Sequence, residues 1–193
     1  MRDVEIEIQV RIEKTKPLEE FLDKNASFRF EVNQVDEYFS PQDEKDDFLK
    51  QDPITRWLRI RKEDKIYYLN FKKFYYEKTG ENYFRDEFES KIEDPEEVRK
   101  IFLALNFKPI VVVEKLRKAW QCNEWEIALD DVKNVGQFVE IEFKFSQGQT
   151  DPKKDIKEMI EFLKKIGCGK LEINYQSYPF LVLFPDKAKF EEL

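Results

Sequence analysis

Alternation of apolar with charged residues constrains this chain more than any other feature. Val4, Ile6, Ile8 and Val10 alternate with Glu5, Glu7, Gln9 and Arg11. A period of two puts one set on each face of a strand. The same habit returns in residues 28–39, 57–61, 65–76, 83–92, 109–120, 125–129 and 139–145. Within them Phe84, Phe88 and Ile92 oppose Arg85, Glu87 and Glu89, and Val139, Ile141 and Phe143 oppose Glu140, Glu142 and Lys144. Three helical segments interrupt the strands. Pro17 precedes Leu18, Phe21 and Leu22. Asp94-Pro95 and Asp151-Pro152 each set an N-cap carboxylate before a first-turn proline, and Gly167 is placed to stop the third helix. Many antiparallel strands with a few helices predict an α+β fold built on a large curved or closed sheet, with helices on its outside. Residues 40–53, acidic and poor in aliphatics, read as a mobile loop. With 193 residues and no fixed-period repeat, a single domain over 1–193 is expected.

Composition narrows the chemistry. The chain has no histidine, which removes Ser-His-Asp and Cys-His nucleophiles and any His-ligated zinc. Cys122 and Cys168 have neither metal-ligand spacing nor the numbers of a disulfide framework. A net charge of −7 argues against a nucleic-acid partner. No apolar run approaches the ~20 residues that cross a bilayer, so no membrane partner is expected. The acidic, alternating residues 1–9 do not have the form of a secretory signal. A cytoplasmic setting is expected, with carboxylates, Lys, Arg, Tyr and a hard metal as the available chemistry.

The kind of polar residue on the alternate positions is informative. Glu5/Glu7, Glu87/Glu89 and Glu140/Glu142 are acid pairs at i, i+2, and Arg59/Arg61 and Lys115/Arg117 are basic pairs at the same spacing. Such pairs point the same way, roughly 6–7 Å apart on a strand. Like charges that close repel unless an opposite charge lies between them. Oxygen-only ligands select Mg²⁺ or Mn²⁺, and paired bases suit phosphate oxygens. Two readings stand at this point: solvated faces of half-buried strands, or a lumen with acids for metal and bases for a polyphosphate.

The order of these blocks resembles the CYTH superfamily, the class IV adenylyl cyclases and thiamine triphosphatases, or triphosphate tunnel metalloenzymes. The blocks are Glu5-Ile6-Glu7-Ile8-Gln9, Gln34-Val35-Asp36-Glu37-Tyr38-Phe39, Leu58-Arg59-Ile60-Arg61, Leu69-Asn70-Phe71-Lys72, Arg85-Asp86-Glu87-Phe88-Glu89, Glu114-Lys115-Leu116-Arg117, Ala128-Leu129-Asp130-Asp131-Val132 with Phe138-Val139-Glu140-Ile141-Glu142, and Ser177-Tyr178. The resemblance implies a closed eight-stranded antiparallel tunnel that binds a triphosphate-containing small molecule with Mg²⁺ or Mn²⁺. It assigns Glu5, Glu7, Asp130, Glu140 and Glu142 to the metal, and Arg59, Arg61, Lys72, Arg85, Lys115 and Arg117 to substrate. Glu5, Glu7, Glu87 and Tyr38 become the candidate catalytic groups. Phosphohydrolysis is the expected activity, with cyclic AMP formation from ATP as the alternative and a monomer or homodimer as the assembly. The chain departs from the family's E-x-E-x-K signature at Gln9. A neutral amide supplies no charge to phosphate, which leaves a low-activity triphosphate-binding module as a third reading.

Overall fold

The computed structural model describes residues 3–76, 82–146 and 151–193. These form two compact units, residues 1–32 with 115–193, and residues 33–114. The strands are β1 (Asp3–Ile12), β2 (Ser27–Pro41), β3 (Arg56–Glu63), β4 (Ile66–Tyr76), β5 (Asn82–Ile92), β6 (Phe107–Cys122), β7 (Trp125–Val132), β8 (Gly136–Ser146), β9 (Leu171–Ile173) and β10 (Glu191–Glu192). The helices are α1 (Lys16–Asn25), α2 (Pro95–Ala104), α3 (Pro152–Ile166) and α4 (Tyr178–Leu183). All eight segments read from alternation are strands, and the fold is α+β with antiparallel pairing. Two short strands and one short helix are additional. Segments of two, three and six residues are too brief to display a period.

In the first unit the strand order is β10-β9-β1-β8-β7-β6. Its apolar face carries Ile6, Ile8 and Val10 of β1 with Ile127, Leu129, Val139, Ile141 and Trp120, covered by Leu18 and Leu22 of α1 and Met159 and Leu163 of α3. Burial of these aliphatic and aromatic side chains fixes which face of every strand is polar, because a one-residue slip would expose the whole set. The helices start as their sequences dictate. Asp151 caps α3 by accepting from the Lys153 amide at 3.1 Å, and Gly167 ends it at φ +84°, a left-handed turn that favours glycine.

The second unit runs β2-β3-β4-β5. Phe39, Ile60, Leu58 and Leu69 pack beneath Phe102 and Val98 of α2, whose N-cap Asp94 accepts from the Glu97 amide at 3.0 Å. Residues 40–53 are anchored at their middle. Ser40 Oγ donates to Asp47 Oδ1 at 2.8 Å and accepts from the Phe48 amide at 2.9 Å, and the buried Phe48 ring meets Phe107. A 3₁₀ turn at Phe48–Lys50 follows. Among the described residues no helix is long and apolar enough to cross a membrane.

Candidate functional site

Register places the charged side chains. In the first unit β1, β8, β7 and β6 lie side by side, so residues paired across them share a face. Glu7 stands opposite Glu142, Gln9 opposite Glu140, and Arg117 opposite Asp130. Asp130, only 2% exposed, is the centre of this cluster. Its Oδ2 accepts from Lys115 Nζ at 2.7 Å and from the Tyr178 hydroxyl at 2.9 Å. Arg117 binds it in a fork, Nε to Oδ1 at 2.7 Å and Nη2 to Oδ2. The same Nη2 donates to Glu140, which also accepts from Gln9 Nε2 at 3.1 Å. Burial alone would raise the Asp130 pKa, yet Arg117 and Lys115 outweigh it and hold the carboxyl below its ordinary value. Burial, with Asp130 and Glu140 close by, pushes the Tyr178 hydroxyl well up. Its ring also lies 4.8 Å from Lys115 Nζ and edge-on to Phe138.

The second unit builds a comparable cluster around Asp36. Arg61 stands directly across from Asp36, and Arg59 across from Tyr38. Arg61 grips Asp36 through Nε at 2.7 Å and Nη2 at 2.8 Å, while Arg59 Nη1 donates to Asp36 at 3.0 Å and to the Tyr38 oxygen at 3.2 Å. Burial works against the charge on Arg59, but Asp36 raises its pKa above the ordinary value. Burial pushes the Tyr38 hydroxyl up to about 12. Farther along the sheet Lys72 pairs with Glu87 at 2.9 Å, and Asn70 donates to Glu87 at 2.6 Å and to Glu89 at 3.1 Å.

The residues selected from sequence therefore fall into two groups. Glu7, Lys115, Arg117, Asp130, Glu140 and Glu142 share the polar face of the first unit. Tyr38, Arg59, Arg61, Lys72 and Glu87 belong to the second. The side chains of Glu5 and Arg85 lie outside the described residues. The sequence blocks contain Asp36 and Asn70 without giving either a role, and sequence reading missed Asn174 and the contact of Tyr178 with Asp130. Strand parity could have found Asp36 and Asn70; Asn174 lies in irregular chain and Tyr178 opens a six-residue helix, too short to carry a periodic signal.

The donor chemistry suits a hard divalent ion, since Glu7 and Glu142 are like charges placed face to face across β1 and β8. Among the described residues, however, no three carboxylates converge into a ligand set.

A CYTH domain family model matches residues 3–174. A Methanocaldococcus jannaschii protein named "Putative adenylate cyclase MJ0240" is 35% identical over 178 residues, spanning 91% of this chain and 96% of the relative. Among solved structures, a conserved hypothetical protein from Pyrococcus furiosus is 28% identical with a TM-score of 0.65, covering 84% of this chain and 90% of its own. "Putative adenylyl cyclase HpAC1" from Hippeastrum, described as having a dominant triphosphatase activity, shares the fold at a TM-score of 0.67 and 18% identity, over 96% of this chain and 97% of its own. With residues 3–174 matched by its family model, this chain belongs to the CYTH domain family.

Proposed function

We propose that this chain binds a triphosphate, inorganic or attached to an organic group, and hydrolyses it with Mg²⁺ or Mn²⁺. The observation that carries the reading is the pair of pre-arranged basic sets, Lys115/Arg117 and Arg59/Arg61, each held on a buried aspartate. Fixed guanidinium and ammonium groups bind phosphate oxygens without reorganising at the moment of reaction. The dominant triphosphatase activity described for the Hippeastrum protein supports the same direction.

In this reading Arg59, Arg61 and Lys72 are the phosphate-binding residues of the second unit, with Tyr38 orienting Arg59 and Glu87 orienting Lys72. Arg85 is assigned to the same role. In the first unit Lys115 and Arg117 bind phosphate. Glu5, Glu7, Asp130, Glu140 and Glu142 would hold the ion, which when bound neutralises charge on the phosphoryl oxygens. The bases keep the terminal group in line with an attacking water. That water adds to the terminal phosphorus, the bridging P–O bond breaks, and orthophosphate leaves with the shortened chain.

A second reading is cyclisation, favoured by the name of the 35%-identical archaeal relative. Here the ribose 3′-hydroxyl of ATP attacks the α-phosphorus and pyrophosphate departs. Incubation with inorganic triphosphate and with ATP, each with Mg²⁺ or Mn²⁺, separates the two by product. Orthophosphate is expected from both. Cyclic AMP with pyrophosphate would establish the cyclase instead, and tight binding without product would leave a binding module.

A further inference from the structure

Gln9 replaces the family's signature lysine, and the structure shows what holds it. β9 pairs with β1, and the ladder continues one residue beyond it, where the Asn174 amide donates to the Gln9 carbonyl at 2.9 Å. The two side chains meet there. Asn174 is 3% exposed and Gln9 8% exposed. Asn174 Oδ1 accepts from the Gln176 backbone amide at 3.1 Å, a group that can only donate. Its Nδ2 must then face the other way, towards the Gln176 carbonyl and, at 2.5 Å, Gln9 Oε1. With its oxygen committed to Asn174, Gln9 has one arrangement left. Nε2 points at Glu140 Oε1, 3.1 Å away.

We propose that Asn174 is a positioning residue that fixes the donor direction of Gln9, so that Glu140 is shared between the Gln9 amide and Arg117. The inference rests on the proposed function for its consequence. Arg117 is a phosphate-binding base, and Glu140 competes with phosphate for it. A donor from Gln9 satisfies part of the Glu140 charge and leaves Arg117 freer for an anion. A lysine at position 9 would supply that donor without any orienting partner, because an ammonium has no acceptor to aim. The neutral amide needs Asn174.

The test is a compensating exchange in the full chain. Asn174→Asp keeps the shape and still accepts from the Gln176 amide, but turns an acceptor towards Gln9. The Gln9 amide then rotates and offers its oxygen to Glu140. Affinity for inorganic triphosphate with Mg²⁺, read by calorimetry, should fall about tenfold, the scale of losing a hydrogen bond to a charged group. Asn174→Asp combined with Gln9→Lys should return to within about threefold of wild type, since the new ammonium donates to both carboxylates and net charge is restored. A combined variant as weak as Asn174→Asp alone would overturn the proposal.

A second readout is independent of ligand. The Gln9 side-chain amide protons should exchange slowly by NMR in wild type and rapidly in Asn174→Ala. Equal exchange in the two proteins would overturn the positioning role. If wild type binds no triphosphate, the proposed function falls, and the amide exchange alone decides Asn174.

Discussion

The Asp130 and Asp36 clusters solve one problem with different charge balances. Each sets a base directly across from the aspartate, Arg117 or Arg61, and a second base two residues earlier, Lys115 or Arg59. They part at the next position. Two residues beyond Asp36 the strand supplies Tyr38, which accepts from Arg59. Two residues beyond Asp130 it supplies Val132, and the hydroxyl comes instead from Tyr178, as a donor to the carboxylate. The Asp130 cluster also includes Glu140 on Arg117. Two cations are thus matched by two carboxylates around Asp130. Around Asp36, two arginines share one closely hydrogen-bonded carboxylate, and Arg61 also meets Glu63 at a looser 3.8 Å. The Asp36 cluster is the more loosely balanced of the two, and a phosphate there need only replace Glu63 on Arg61. The Asp130 cluster is balanced, so an anion there must displace Glu140 or arrive with a cation, which fits a metal-bound triphosphate.

Removing the aspartates should break the comparison most visibly. Asp36→Asn and Asp130→Asn each strand buried cations, at a cost of about 3–5 kcal/mol in denaturant unfolding. Asp36→Asn should cost more, because Glu140 stays hydrogen-bonded to Arg117 when Asp130 is neutralised, whereas Glu63 meets Arg61 only at 3.8 Å. Equal losses would mean that the charge balance does not distinguish the clusters.

The hydroxyls give a smaller contrast. Both hydroxyls bond a charged group, worth about 1.5–3 kcal/mol. Tyr178→Phe removes the shorter bond, 2.9 Å to a buried carboxylate, and should cost more than Tyr38→Phe, which removes a 3.2 Å bond from Arg59 that has Asp36 as its other partner. Thermal unfolding of the two variants should rank them in that order.

Titration sharpens the comparison at each end of the pH range. Asp130 has a folded pKa below its ordinary 3.8, so the unfolded chain takes up the proton first and stability falls as pH drops below about 4. Asp130→Asn should lack that share of the acid loss. Tyr38 is raised from 10.0 to about 12, so its contribution is complete below pH 10 and is lost as pH climbs through that window. Stability against pH in Tyr38→Phe should fall less steeply there than in wild type.

Much of this arrangement was legible in the sequence because strand parity is a rigid rule. Ile6, Ile8 and Val10 had to be buried together, and Glu7 and Gln9 had to share the other face. The Asp-Pro pairs marked the starts of α2 and α3 for an equally local reason, since a carboxylate cap and a fixed φ need no tertiary partner. Parity does not say which strand lies alongside, so the pairing of Asp36 with Arg61 was invisible. Nor did the sequence show that both oxygens of Asp130 are taken by bases. The segment from Asn174 to Tyr178 has no period at all, and its contacts to Gln9 and Asp130 follow a strand of only three residues.

Direct calorimetric titration tests the proposal that each cluster binds phosphate. Wild type with Mg²⁺ or Mn²⁺ should bind inorganic triphosphate tightly, diphosphate more weakly and orthophosphate hardly at all. Arg59→Ala and Arg117→Ala should each weaken triphosphate binding by about tenfold or more. Removing the metal should weaken it too, and Glu140→Gln with Glu142→Gln should abolish that metal dependence. Equal affinity for all three phosphates, or triphosphate binding that survives both arginine substitutions, would contradict the claim.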